Sequence, residues 1–221
     1  MVPASASDGQ TSSIGACSIG IHVLLEEAGA DFENRIIDLA SREQFSPDYR
    51  AANPKGKVPA ILREDGSLVT EFPAIALWIG HTYPEARMLP ADFEGQLRVI
   101  EIMDYMVSSI HMRGFTFIFA PMKFHPDDPS AQEALRAHGR DQVKIGLDNL
   151  SETLGDKDWL LGDFTVAEGA LFYMTRWCHQ HGIEMPDNIR DHHQRMIARP
   201  AVQRALRADG LATPEKSGFA A

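Results

Sequence analysis

The feature that most constrains the fold is the stretch NPKGKVPAILREDGSLVTEFPAIALWI, residues 53–79. Its pattern predicts a short strand opened by Pro59, a tight Asp-Gly turn, a second short strand and an apolar helix. Proline has no N–H for a strand ladder, so the backbone of the preceding Val58 stays open to pairing with another extended chain. A cis peptide bond between Val58 and Pro59 would present that backbone outward.

The second strand runs into Thr70 and Glu71, directly before Pro73 and the helical run AIALWI. A helix start carries N–H groups outside the helix's own hydrogen-bond pattern, and here a carboxylate lies beside them. This combination suits a ligand with both an amine and a carboxylate, because the helix start binds the carboxylate and Glu71 binds the ammonium. The alternative is that Pro59 only opens a strand and Glu71 only caps the helix.

Composition narrows the class of partner. The chain of 221 residues can bury two small cores or one large one, and its 44% hydrophobic and 24% charged content is ordinary for a globular protein. The formal net charge of −10 argues against nucleic-acid binding, which needs a basic face, and gives no reason to expect adhesion to anionic lipid. Small molecules or other proteins are the expected partners.

The cysteines and the first residues indicate a compartment. Cys17 and Cys178 lie far apart in the sequence, so a structural disulfide is not expected. A protein without disulfides is expected in a reducing compartment. No apolar run approaches the roughly 20 residues of a spanning helix. Residues 1–13, MVPASASDGQTSS, have neither a basic nor an apolar signal region, and the sequence therefore predicts a cytoplasmic protein.

Histidines around the second cysteine raise the question of a metal site. The run CHQH, residues 178–181, is followed later by His192 and His193. This spacing matches no common zinc pattern, and a second close cysteine pair is missing. The sequence predicts no metal.

The segment GACS, residues 15–18, opens a predicted helix that ends at Gly29. Cys17 is therefore expected at a helix N-terminus, where the helix dipole should lower its pKa below the ordinary value of about 8.5. The alternative is that Cys17 is a small buried residue. Residue 20 is glycine, so redox chemistry here would be monothiol, and an external thiol would have to resolve a mixed disulfide.

The order of predicted elements indicates two domains. Strand, helix and strand, followed by strand, strand and helix, form a thioredoxin-like α/β layer over residues 1–84. The linker, residues 85–95, carries a proline and a glycine, and residues 96–221 show helical spacing almost throughout. The predicted fold class is α/β plus all-α. Helices are expected at about 129–154 and 165–181.

Three segments carry a resemblance to a known family: GACS at 15–18, NPKGKVPA at 53–60 and FTVAEGALF at 164–172. On these motifs the chain resembles the glutathione transferases, and among them most closely the bacterial beta class. The resemblance implies an enzyme that adds the glutathione thiolate to a small apolar electrophile in a cleft between the two domains. It also implies a C₂ homodimer, with glutathione as co-substrate.

The resemblance also implies functional roles for individual residues of this chain. It implies that Cys17 and His111 are catalytic. The residues implied to contact glutathione are Ala16, Arg42, Lys57, Val58, Pro59, Glu71, Phe72 and Asp104. The residues implied to line the second-substrate pocket are Met112, Arg113, Phe115 and Trp177.

Several of these positions have a plainer interpretation. A surface arginine explains Arg42, and core packing explains Phe115 and Trp177. A histidine beside an apolar face is usually a hydrogen-bonded core residue, which is the alternative for His111. The beta class has one lysine after this histidine, and either Met112 or Arg113 takes its place.

Two acidic residues carry further expectations. Asp104 lies among apolar positions, so it is expected to be buried and to face a cation or an interface, because a buried unpaired charge is costly. In the beta class a residue here reaches the glutathione of the partner subunit, whereas an intramolecular ion pair is the alternative. Thr165 and Glu168 fit a capping box at the start of a helix.

The sequence departs from the family at two places. Residues 1–13 are polar where the family has a hydrophobic first strand, which predicts a disordered arm, an unusually polar strand, a strand of altered register or a different start. Phe72 replaces a small or hydroxyl residue, so one side-chain hydrogen bond to glutathione would be lost. Alternative functions are glutathione-dependent thiol-disulfide exchange or lyase chemistry, and non-catalytic binding of glutathione or a partner.

Overall fold

The structure is a computed structural model, and it describes residues 8–13 and 15–211. The chain divides into two compact units: residues up to Met88 together with those from Arg195 onward, and residues from Leu89 to Gln194. The division into residues 1–84, 85–95 and 96–221 stays a prediction. The last helix, which that division places with the helical part, here clusters with the first unit.

The first unit is built on a four-stranded mixed sheet in the order β2-β1-β3-β4. Strand β1 pairs parallel with β2 and antiparallel with β3, which pairs antiparallel with β4. The strands are β1 (Asp8–Ser12), β2 (Phe32–Ile36), β3 (Ala60–Leu62) and β4 (Leu68–Thr70). This is the thioredoxin-like layer predicted from the sequence.

Helices make up most of the rest of the chain. They are α1 (Ser18–Ala28), α2 (Pro47–Ala52), α3 (Phe72–Thr82), α4 (Phe93–Asp104), α5 (Thr116–Phe119), α6 (Pro129–Leu154), α7 (Ala167–Gln180), α8 (Asp187–Ala198) and α9 (Pro200–Ala208). A π-helical stretch, Tyr105–Phe115, lies between α4 and α5. The helices expected at 129–154 and 165–181 are confirmed, and within the described ranges no helix is long and apolar enough to cross a membrane.

Strand β1 is polar because its side chains find hydrogen-bond partners inside the fold. Gln10 is fully buried and donates from Nε2 to the carbonyl of Ser18 at 3.2 Å. The Thr11 hydroxyl donates to the carbonyl of Ala60 at 3.3 Å. The expectation of a disordered arm is wrong for residues 8–12, and that of an unusually polar strand is confirmed for them. Residues 1–7 lie outside the described part of the chain.

The core of the first unit lies between the sheet and helices α1 and α3, and α9 packs on α1. Ion pairs of Arg199 with Glu27 and of Arg204 with Glu26 hold α9 on α1. Just after α9, the carboxylate of Asp209 accepts from Asn34 at 3.0 Å and lies 2.8 Å from Nδ1 of His22. These contacts explain why the C-terminal helix belongs with this unit.

In the second unit, α6 packs against the π-helical stretch through glycine. A Cβ added at Gly139 would lie 2.7 Å from the carbonyl oxygen of Gly114, a distance at which backbone would have to move. Val143, Leu147 and Leu150 of α6 are fully or almost fully buried nearby in sequence. Because Gly114 and Gly139 have no side chains, the backbones of the π-helical stretch and α6 can pack in direct contact.

Candidate functional site

The loop before β3 is held by side chains from α2 and its end. The carbonyl of Lys57 accepts from the Tyr49 hydroxyl at 2.7 Å and from Nδ2 of Asn53 at 2.8 Å. The peptide bond between Val58 and Pro59 is cis, as predicted. Pro59 is buried, whereas Val58 is half-buried and Lys57 is exposed.

Cys17 lies at the start of α1, as predicted, and its thiol points at the loop. Its Sγ is 3.7 Å from the carbonyl oxygen of Val58, which it can meet as a weak donor. Burial raises the pKa of Cys17 from 9.0 to about 12, against the smaller lowering by nearby backbone N–H groups and Lys57. The predicted lowering of this pKa is wrong, because desolvation of the sulfur outweighs the helix start.

Glu71 precedes α3 in an unusual backbone conformation, with φ 71° and ψ 127°. Such a conformation costs a non-glycine residue about 1–3 kcal/mol, and it concentrates at ligand sites. The Glu71 carboxylate accepts from Nζ of Lys55 at 2.7 Å, and the same ammonium donates to the Thr70 hydroxyl at 2.8 Å. Lys55 is in the motif NPKG, but sequence reasoning gave it no role, since a contact 16 residues away leaves no local signal.

The other expected glutathione contacts of the first unit are spread around this loop. Arg42 is exposed, with φ 63°, and its guanidinium lies 5.4 Å from the ring centroid of Phe45, which Arg50 approaches to 5.2 Å. Ala16 is half-buried next to Cys17. The Phe72 side chain is 4% exposed, so it packs into the core and only its backbone is suited to bind a ligand.

His111 belongs to the second unit and lies in the π-helical stretch. Its Nδ1 is 3.2 Å from the hydroxyl oxygen of Tyr173 on α7. Its ring meets Trp177 edge to face, with centroids 4.9 Å apart. Tyr173 was missed at the sequence level, because 62 residues separate it from His111.

The four residues expected to line a substrate pocket behave differently. Met112 and Arg113 are both exposed. Phe115 has no exposed surface, and Trp177 is 7% exposed; their rings pack at 5.0 Å. The expectation that Phe115 forms a pocket surface is therefore wrong for this chain, and the packing interpretation holds. A pocket role stays a prediction for Met112, Arg113 and Trp177.

Asp104, at the end of α4, is exposed. The expectation of a buried carboxylate is wrong, because the apolar neighbours Met103 and Met106 point to the other side of the helix, where both are fully buried. An exposed carboxylate needs no cation within its own chain. Its role at an interface stays a prediction.

The predicted capping box at Thr165 and Glu168 is replaced by a different network. Glu168 has no exposed surface, and its carboxylate accepts from the N–H of Leu160 at 3.0 Å and lies 2.7 Å from Nε2 of His192. The Thr165 hydroxyl instead accepts from the N–H of Ala167. The predicted capping box is wrong, because the Glu168 carboxylate instead contacts buried His192, 24 residues later in the chain.

The adjacent histidine is also internally bonded. Nδ1 of His193 lies 2.8 Å from the hydroxyl of Thr175. Burial, helped by the positive charge of Arg176, lowers the pKa of His193 to about 3, so this imidazole is neutral at ordinary pH. No group of three or more histidine, cysteine or acidic side chains suited to a metal occurs within residues 8–13 and 15–211.

Comparison with known proteins bears on this arrangement. Residues 15–82 match the family described as glutathione S-transferase, N-terminal domain. The chain is 37% identical to the glutathione S-transferase GstA of Escherichia coli O157:H7, over 89% of this chain and 96% of that protein.

Solved structures agree with the sequence comparison. A bacterial beta-class glutathione S-transferase of Sphingomonas chungbukensis is 33% identical, with a TM-score of 0.80, over 92% of this chain and all of that one. A sphingomonad glutathione S-transferase complexed with glutathione is 32% identical, with a TM-score of 0.81 and the same coverage. The chain belongs to the glutathione S-transferase family and is close to its bacterial beta class.

Proposed function

We propose that this glutathione transferase adds the thiolate of glutathione to a small apolar electrophile. Glutathione binds extended against Val58, with its γ-glutamyl end at Glu71 and the N–H of Phe72 and its glycine end toward Arg42. Ala16 and Lys57 supply further contacts to glutathione, and Pro59, which is buried, acts through the backbone of the loop. The reaction serves detoxification in a reducing, cytoplasmic compartment.

The observation that supports this proposal most is the backbone of Glu71. Glu71 is held at φ 71° directly before α3, whose first N–H groups form the positive end of a helix dipole. The γ-glutamyl end of glutathione carries an ammonium and a carboxylate on one carbon, which is the pair of charges that this arrangement complements. Lys55 also donates to the Glu71 carboxylate, through an exposed ion pair of small net stability.

The nucleophile of the proposed reaction is the thiolate of glutathione and not a thiolate of Cys17. With its pKa near 12, Cys17 is a thiol at neutral pH and can act only as a weak hydrogen-bond donor. By the family resemblance, we propose that His111 donates a hydrogen bond that holds the glutathione sulfur as thiolate. Met112 or Arg113, together with Trp177, is proposed to border the second substrate. Thiol-disulfide exchange through Cys17 is disfavoured by the same pKa.

Replacing Glu71 by glutamine is expected to weaken glutathione binding by about 1–3 kcal/mol, because the charge-assisted bond to the ligand ammonium is lost. Isothermal titration of glutathione at moderate salt measures the change in Kd. Glu85→Gln is the matched control, since Glu85 is an exposed acid in the same unit. Equal dissociation constants for wild type and Glu71→Gln would show that the Glu71 carboxylate does not bind the ammonium of glutathione.

We further propose a C₂ homodimer in which one face of α4 is covered by the second subunit. Phe93, Leu97 and Asp104 share that face by helical spacing, and Phe93 is 76% and Leu97 38% exposed. Two large apolar side chains exposed side by side on one helix face support a surface for a partner. Asp104 then acts on the glutathione bound by the partner subunit.

The variant Leu97→Glu is expected to shift the protein from dimer to monomer, because it places a charge in the covered face. Sedimentation velocity at micromolar concentration measures the change. Met122→Glu, at a 48% exposed residue outside α4, should leave the dimer intact. A fully active wild-type monomer would exclude both the dimer and the proposed role of Asp104.

A further inference from the structure

We propose that the Tyr173 hydroxyl fixes the orientation and the tautomer of His111, so that the imidazole offers Nε2–H as a hydrogen-bond donor. Tyr173 is thus a positioning residue, which acts through His111 and does not touch the substrate. The inference rests on the proposed function, in which His111 helps to hold the glutathione sulfur as thiolate.

The first observation is the contact itself. The hydroxyl oxygen of Tyr173 lies 3.2 Å from Nδ1 of His111, within hydrogen-bond distance. Tyr173 has no exposed surface and sits on α7, every residue of which from Ala167 to Cys178 is buried. A buried phenol requires a hydrogen-bond partner, and a side chain on such a helix has little freedom to leave it.

The second observation is that aromatic rings confine the imidazole. His111 meets Trp177 at 4.9 Å and 76°, and meets the ring of Tyr173 at 5.6 Å and 70°. Trp177 is itself packed against Tyr173 at 4.8 Å and against Phe115 at 5.0 Å. Trp177 and Phe115 therefore support the His111 ring, and only one edge of the imidazole can face Tyr173.

The direction of the hydrogen bond follows from acid strength. A phenol is a stronger acid than the N–H of a neutral imidazole, and an imidazole nitrogen is a stronger acceptor than a phenol oxygen. The Tyr173 hydroxyl therefore donates to Nδ1. A neutral imidazole carries one ring proton, so the proton of His111 lies on Nε2, at the opposite edge of the ring.

This tautomer decides what His111 can do. An Nε2–H donates to an anion and favours it, whereas the opposite tautomer would offer Nε2 as a lone pair and repel a thiolate. The arrangement makes His111 a donor that stabilises the thiolate without taking its proton.

The test is ¹⁵N NMR of the full-length protein, with the His111 signals assigned from their loss in His111→Gln. Above the ordinary pKa range of histidine, the ring of His111 should be protonated at Nε2 and accept at Nδ1. In Tyr173→Phe, which keeps the ring packing, the signals should move toward a mixture of tautomers. The control Tyr105→Phe, which removes another tyrosine hydroxyl bonded at 2.7 Å to Asn149, should leave them unchanged.

Kinetics supply the second readout. For Tyr173→Phe, kcat should fall about 5- to 10-fold, as for the loss of one hydrogen bond, and KM for glutathione should change less than about twofold. A wild-type proton on Nδ1, or a Tyr173→Phe spectrum identical to wild type, would overturn the inference even if turnover is normal. A wild type without turnover contradicts the proposed function instead, and the tautomer of the wild type still decides the role of Tyr173.

Discussion

Replacing Glu168 by alanine is expected to lower the free energy of unfolding by about 3–5 kcal/mol, since the variant breaks a fully buried pair by removing one partner. The N–H of Leu160 and Nε2 of His192 would both be left without their acceptor. Leu160, Glu168 and His192 have no exposed surface, so water cannot replace the carboxylate without a rearrangement of the core.

Urea unfolding followed by circular dichroism measures this loss. Glu133→Ala is the matched control, because it removes an exposed partner of Arg136 in the same unit and should cost less than about 1 kcal/mol. A Glu168→Ala variant no less stable than Glu133→Ala would show that the buried network contributes nothing to the fold.

Cys17 in the ligand-free protein is expected to react with iodoacetamide roughly 50-fold more slowly than a cysteine of ordinary pKa. A rise of the pKa from 9.0 to about 12 lowers the thiolate fraction by about three orders of magnitude, which the greater nucleophilicity of a more basic thiolate offsets in part. The rate should rise with pH through the whole alkaline range. A mixed disulfide of Cys17 with glutathione should form slowly for the same reason.

Peptide mapping by mass spectrometry after timed alkylation measures the rate at Cys17 separately from that at buried Cys178. Cys17→Ala should retain conjugating activity, because the nucleophile is glutathione's own sulfur. An alkylation rate that levels off below pH 9 would mean that the helix start, and not burial, governs this thiol.

Local patterns in the sequence predicted much of the fold. The Asp-Gly turn, Pro59 and the apolar run after Glu71 determine the hairpin and α3, since turn and capping chemistry act over a few residues. The same holds for the start of α1 at Cys17 and its end at Gly29, which adopts φ 64°. Two of the three family motifs, GACS and NPKGKVPA, lie in or directly before these segments, and for that reason the sequence alone indicated the family.

The parts that sequence reasoning missed depend on contacts between distant residues. The burial that raises the pKa of Cys17 comes from the assembled fold, whereas its position at a helix start is local. Glu168 has a local capping pattern, but His192 takes its carboxylate. Lys55 and Tyr173 acquire their contacts with Glu71 and His111 only when the chain is folded.

The most direct test of the proposed function is the rate at which the wild-type protein consumes a generic aromatic chloride with and without glutathione. A rate that depends on glutathione, saturates with it and exceeds the uncatalysed reaction by several orders of magnitude is expected of a transferase. Binding of glutathione with a rate equal to the uncatalysed reaction, across a panel of apolar electrophiles, would contradict the account and leave a glutathione-binding protein without conjugating activity.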